Sequence, residues 1–195
     1  IGTIPAELVW RENFRDTTEE RSRYVLRGRV NQEQRLAELR LDFPPFSADT
    51  MRGPTDAHVV YSVFHDDRSR LEAALDLSQA FLSWGPVAWS KLPGTEGAVS
   101  ITLDLNAADA PTEMRFDVRA GDMAAKGQAS FDPRGGGVER VRLETLRFAE
   151  TNIEEAELTP LADGGWNARL AGPSFDLAPI FDNAFGGVTL RDGNG

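Results

Sequence analysis

The chain has 195 residues, no cysteine, and 31 acidic against 21 basic residues, which gives a formal net charge of −10. This acid excess argues against a nucleic-acid partner, because phosphate binding requires a basic surface. The absence of cysteine excludes disulfides, thiol catalysis and thiolate metal sites.

Residues 1–21 form the least strand-like part of the sequence. Pro5 suits the first turn of a helix, and Leu8, Val9 and Phe14 would then lie on one side of it. We therefore predict a short helix or an irregular lead-in here. Because the sequence starts at Ile1 and ends in a polar, glycine-rich run, we also expect a segment of a longer protein, with 187–195 as a flexible tail.

From Ser22 onward the apolar residues recur with a period of two. This pattern predicts a strand over 22–30, a hairpin turn over Asn31–Gln34 and a second strand over Ala37–Phe43 that ends at Pro44 and Pro45. Residues 46–54 read as a loop with a Gly-Pro break.

The alternation continues to the end of the chain. Strands are predicted over 57–64, 71–77, 99–106, 114–120, 123–131, 138–148, 152–160 and 166–170, followed by a short helix over 172–181. A change of phase within 138–148 predicts a β-bulge near Glu144 and Thr145.

About ten strands joined mostly by short turns indicate a mainly β fold, an antiparallel meander with a few short helices. Most of these strands have one apolar and one polar face, so we expect a curled or groove-forming sheet within one domain, 22–186. A weak repeat, Asp76-Leu77 with Phe81 and Asp176-Leu177 with Phe181, suggests two sub-units, 22–97 and 98–186.

The segment Asp76–Gly97 is a dense apolar insert between two alternating strands. Its apolar residues are Phe81, Leu82, Trp84, Val87, Trp89 and Leu92. Two tryptophans could stack on a sugar, but residues this apolar more often cover the open side of a sheet. We therefore interpret Phe81, Trp84 and Trp89 as a cap or gate.

No sequence motif indicates catalysis. The chain has no Gly-x-Ser-x-Gly elbow, P-loop, His-Glu-x-x-His or dinucleotide fingerprint. His65, Asp66 and Asp67 could bind a metal, yet they are ordinary turn residues without an evident further ligand. Lys91 could meet a lipid phosphate or pair with a surface acid. We therefore expect a non-enzymatic protein with no catalytic residues, no metal and no cofactor.

Several segments together are similar to one known family. They are Asp76-Leu77-Ser78 with Ala80, the block from Trp89-Ser90-Lys91-Leu92-Pro93 to Gly97, the run Gly164-Gly165-Trp166 to Asp176-Leu177, and Tyr24 to Gly28 with Gln34-Arg35. This set resembles the AsmA-like family of bacterial envelope proteins, closest to its YhdP-type branch with a domain of unknown function. The resemblance covers about Tyr24 to Phe181.

The resemblance implies a location and a role. Such proteins are thought to be anchored in the inner membrane of Gram-negative bacteria and to extend through the periplasm. Their repeated β-sheets form an apolar groove that carries phospholipid toward the outer membrane. It also implies two partners: a phospholipid or other acyl chain, and neighbouring β-repeats of the same full-length chain. The family offers no catalytic residues to carry over.

The alternating strands allow the groove lining to be predicted. The expected residues are Leu71, Leu75, Val99, Ile101, Leu103, Met114, Phe116, Val118, Met123 and Phe131. Small residues on the same faces, such as Ala73 and Ala129, would leave room for an acyl chain. The alternatives are a filled core, a β-sandwich module that binds another envelope protein through a strand edge, and a carbohydrate-binding domain that uses Trp84 and Trp89.

Overall fold

The computed structural model describes residues 3–14, 20–42, 46–134, 137–162 and 164–176. In these ranges the chain forms fourteen strands, a short π-helical segment (Gln34–Glu38) and a 3-10 turn (Gly85–Val87). The strands are β1 (Ala6–Glu12), β2 (Glu20–Val30), β3 (Met51–Arg52), β4 (Thr55–Phe64), β5 (Ser69–Asp76), β6 (Phe81–Trp84), β7 (Trp89–Lys91), β8 (Gly97–Leu105), β9 (Pro111–Ala120), β10 (Met123–Phe131), β11 (Val138–Phe148), β12 (Thr151–Ile153), β13 (Glu155–Pro160) and β14 (Trp166–Ala171).

Eleven of these strands form one open antiparallel sheet. Their order is β1-β2-β4-β5-β8-β9-β10-β11-β13-β14, and β12 pairs with β11. Neighbours in the sheet are therefore nearly always neighbours in the chain, which confirms the predicted mainly β meander. Strands before and after residue 97 belong to the same sheet, because β5 pairs with β8.

A second, small sheet in the order β3-β6-β7 packs against the main sheet where β5 and β9 end and β8 begins, at Leu75, Ala120 and Val99. It contributes to two clusters of buried side chains. One is built around Met51, Leu77 and Ala80, and the other around Trp89, Ala120 and Phe148. The predicted apolar insert thus supplies β6 and β7 and covers the part of the main sheet that contributes side chains to these two clusters.

The predicted helical lead-in is wrong, because the chain forms β1 there. This strand pairs with β2, so that Leu8 lies opposite Leu26 and Trp10 opposite Tyr24. Leu8 and Trp10 alternate with Glu7, Val9 and Arg11, so the period of two was present in the sequence. Short apolar runs often fit both a helical and a strand pattern, and here the pairing with β2 makes the run a strand.

The predicted hairpin turn at Asn31–Gln34 and the strand over Ala37–Phe43 are also wrong. Gln34 N–H donates to Asn31 Oδ1 at 2.9 Å, and Asn31 N–H donates to Gln34 Oε1 at 3.0 Å. This reciprocal arrangement is a capping box, which starts a helix. The helical segment Gln34–Glu38 follows, and β2 pairs with β4 instead. Phe43, Pro44 and Pro45 lie outside the described residues.

The C-terminal part of the described chain confirms one prediction and corrects others. Lys126 pairs with Thr145 and Gly127 with Leu143, which leaves Glu144 as the predicted bulge. The predicted strand 152–160 divides into β12 and β13. The predicted helix over 172–181 is wrong for 172–176, where Ser174 bridges to Asn152; residues 177–195 lie outside the described part.

Candidate apolar binding face

One face of the main sheet carries three transverse rows of apolar residues, which we call the apolar face. The rows exist because alternate residues of a strand share a face, and because the register aligns them across strands. The upper row is Trp10, Tyr24, Tyr61, Leu71, Leu103, Met114, Ala129, Val141, Leu158 and Ala168. The middle row is Leu8, Leu26, Val59, Ala73, Ile101, Phe116, Gly127, Leu143, Ala156 and Leu170. The lower row is Ala6, Gly28, Ala57, Leu75, Val99, Val118, Ala125, Leu146 and Ile153.

The structure brings most of the predicted groove residues together in these rows. Leu71, Leu103 and Met114 lie in the upper row, Ile101 and Phe116 in the middle row, and Leu75, Val99 and Val118 in the lower row. Met123 lies beyond the lower row and packs near Trp89, whereas Phe131 lies beyond the upper row, opposite Val138. All ten are partly exposed.

Exposure is highest where the rows reach the sheet edges. Leu8 and Trp10 on β1 are 63% and 62% exposed, and Leu170 on β14 is 42% exposed. In the described chain, no residue of the upper or middle row belongs to either buried cluster, although Ala129 and Ala156 in these rows are themselves buried. Leu75, Val99 and Leu146 of the lower row pack against the clusters. The small sheet therefore borders the apolar face along its lower side.

The upper row is aromatic at its β1 end. The Trp10 and Tyr24 rings stack with centroids 6.1 Å apart, and Tyr24 and Tyr61 are also 6.1 Å apart. Trp10 Nε1 donates to Glu12 Oε2 at 2.9 Å, which orients the indole. The sequence interpretation missed Trp10 because it placed this residue in a helix.

The predicted cap residues occupy different environments in the small sheet. Trp89 is buried, and its Nε1 donates to Asp122 Oδ1 at 2.8 Å. Trp84 is 41% exposed, with its ring centroid 6.1 Å from that of Phe148. Phe81 is half-buried, and the Arg52 guanidinium lies 5.6 Å from its ring centre. Trp89 thus fixes the small sheet to the β9–β10 turn, while Trp84 remains accessible.

The side chain of Lys91 is buried and forms no ion pair with a surface acid among the described residues, so it is not placed to meet a lipid phosphate either. Its Nζ donates to the carbonyls of Ala80 at 2.9 Å, Leu92 at 3.2 Å and Ser78 at 3.5 Å. Burial lowers the pKa of Lys91, and the nearby Asp76 carboxylate acts in the opposite direction. Lys91 therefore links β7 to the turn at 78–80 inside the insert.

The two carboxylates of the turn that suggested a metal site form ion pairs with arginines. Asp66 Oδ2 lies 2.7 Å from Arg68 Nε, and Asp67 Oδ1 lies 2.8 Å from Arg21 Nη1. Within the described ranges, no group of three histidine or acidic residues is placed to hold a metal ion. No helix in the same ranges is long and apolar enough to span a membrane.

Comparisons of the chain with protein-family models, curated proteins and solved structures find no match. The resemblance to the AsmA-like family therefore stays a prediction from the sequence. The apolar face is the feature from which a function can be argued.

Proposed function

We propose that this chain binds the hydrocarbon chains of phospholipids or other acyl lipids on the apolar face, without enzymatic activity. The observation that carries the proposal is the run of apolar residues from β1 to β14 in two rows that belong to no buried cluster of the described chain. Soluble proteins rarely leave a contiguous apolar surface of this extent without a binding partner.

The dimensions of the apolar face set the direction in which a hydrocarbon chain lies. Ten strands spaced about 4.8 Å apart give rows about 43 Å long, whereas three rows cover only about 14 Å along the strands. A long acyl chain is therefore accommodated across the strands, parallel to the rows. The small sheet then forms a side wall, and the two strand edges are the ends.

The side chains of the middle row suit a ligand without polar recognition groups. Ala73, Gly127 and Ala156 are small and lie between larger residues such as Phe116 and Leu143. Gly127 and Ala156 are buried beneath their larger neighbours, so contact with methylene groups is made by those neighbours and by the half-buried Ala73. Each methylene removed from water contributes about 0.8 kcal/mol, so several buried groups give measurable affinity.

The charges of the chain favour recognition of hydrocarbon over that of an anionic headgroup. Lys91 is engaged by backbone carbonyls, and Lys126 pairs with Glu144 at 2.6 Å. With a net charge of −10, the chain as a whole exerts no long-range attraction on an anionic headgroup. We therefore expect binding that depends on acyl-chain length and depends little on the headgroup.

Leu103→Asp tests this proposal at the centre of the upper row. A carboxylate there should abolish binding of a fluorescent fatty acid and retention of phosphatidylethanolamine in native mass spectra, because an unpaired charge opposes contact with hydrocarbon. Thr102→Asp is the matched control, since Thr102 neighbours Leu103 but faces the opposite side, across from Arg115. Equal binding by both variants, or no binding by the unmodified chain, would contradict the proposal.

The location and the wider assembly are further parts of the proposal. We place the chain on the periplasmic face of the cell envelope, in a parent protein anchored in the inner membrane, on the strength of the sequence resemblance alone. The exposed edge β14 favours a second role as an interaction module that extends its sheet with a neighbouring β-repeat. Sugar stacking by Trp84 and Trp89 finds no support, because Trp89 is buried.

A further inference from the structure

The β1 strand is an exposed edge with apolar side chains on both faces. All residues from Ala6 to Arg11 are exposed. Leu8 and Trp10 lie on the apolar face, whereas Val9, which is 53% exposed, lies on the opposite face. An edge of this kind is a template for pairing with another strand unless charge or proline blocks it.

The hydrogen-bond pattern of β1 determines which backbone groups remain available. Asn13 N–H donates to Arg21 C=O at 2.8 Å, so the odd-numbered residues of this strand bond to β2. In an antiparallel ladder, such bonds alternate along each strand. The N–H and C=O groups of Leu8 and Trp10 therefore point away from β2, toward an incoming strand.

The sequence of β1 is complementary to itself in antiparallel orientation. If two copies align about Val9, Leu8 of each copy faces Trp10 of the other, and Glu7 of each faces Arg11 of the other. Neither Glu7 nor Arg11 forms an ion pair within the described part of the chain, so both charges are available. Two apolar pairs, two ion pairs and a central Val9 pair would result, each favourable across strands.

We propose that β1 pairs with β1 of a second copy to form a symmetric antiparallel dimer. The two-fold axis passes through Val9 perpendicular to the sheet, so that both apolar faces lie on the same side and form one continuous surface. An interface of this type is closed, since each copy uses the same strand. The β14 edge is less complementary, because two copies that align about Ala168 place Trp166 opposite Leu170 but Arg169 opposite Asn167, and no ion pair forms.

Charge reversal tests the proposed pairing directly. We expect the unmodified chain to sediment as a dimer that dissociates on dilution. Glu7→Arg should weaken the dimer about tenfold or more, because two ion pairs become two like-charge contacts. The double variant Glu7→Arg with Arg11→Glu should restore it, whereas Arg169→Glu at the other edge should leave it unchanged.

Leu8→Pro provides a second test that does not depend on charge. It removes an N–H that points outward, so the bonds from β1 to β2 are retained and the circular dichroism spectrum should be unchanged, but the dimer should be lost. The proposal is overturned by a monomeric unmodified chain, by a dimer that survives both Glu7→Arg and Leu8→Pro, or by larger polymers that Arg169→Glu abolishes.

Discussion

At the scale of single residues, Lys91 shows how a buried charged side chain can stabilise a fold through hydrogen bonds to backbone carbonyls. Its ammonium binds three backbone carbonyls, from Ser78, Ala80 and Leu92. Gly97 makes room for it, because a Cβ at that position would lie 2.6 Å from Lys91 Cε. A sequence shows the lysine and the adjacent Leu92, but not the carbonyls of Ser78 and Ala80, which approach Lys91 only in the folded chain.

Lys91→Met should lower the free energy of unfolding by about 2 kcal/mol, because buried carbonyls lose their donor while the volume is nearly kept. Urea denaturation would measure this change. Lys126→Met is the matched control, since within the described residues its exposed ammonium pairs with Glu144 alone and should contribute little. If both variants were equally stable, the carbonyls near Lys91 would have other donors.

At the scale of elements, the bulge in β11 depends on a glycine in β10. A Cβ on Gly127 would lie 2.3 Å from Arg142 O and 3.0 Å from Phe116 Cζ. Such contacts cannot form without movement of the backbone of β11. The close approach of these two strands therefore requires glycine at this position, next to Glu144, which has no opposite residue in the β10–β11 register.

Gly127→Ala should destabilise the fold by about 1–3 kcal/mol, as expected for overpacking against a fixed backbone. Thermal or urea denaturation would detect it. Gly85→Ala should be nearly neutral by comparison, because a Cβ there would meet nothing within 4 Å. A neutral Gly127→Ala variant would mean that β10 and β11 can separate at little cost.

The strands also show which parts of the fold could be predicted from the sequence. Alternation placed β5 and β8 to β11 correctly, because each has one apolar face and ends at a clear turn. The strand β4, which carries Val60 and Phe64 on its second face, was predicted from its apolar run and the polar turn that follows it. It failed at β1 and at Ala37–Phe43, where the same residues fit two periods. Asn31 and Gln34 carried the missed signal, since Asn followed three residues later by Gln is a capping-box pattern.

At the scale of the whole molecule, the apolar face could be predicted only in part. Eight predicted groove residues, including Leu71 and Phe116, lie in the three rows because strand faces can be read from alternation. The register that aligns them, and the contribution of Trp10 and Tyr61, follow from pairing between strands. A single sequence does not reveal such pairing.

The strand order predicts a gradient of local stability across the main sheet. Because each strand contacts mainly its two neighbours, central strands such as β8 and β9 open only after the edges have separated. Hydrogen exchange should therefore be slowest in β8 and β9 and fastest in β1 and β14. Uniform protection in all strands would instead indicate a single cooperative unit.

The meander also determines how the sheet would respond to mechanical force. Since β1 and β14 are the opposite edges of one sheet, a pull on the two ends of this segment loads the outermost strands first. Their hydrogen bonds would break in sequence, as in a zipper, rather than all at once in shear. The sheet would lengthen one strand at a time at low force, while the strands between still held their shape.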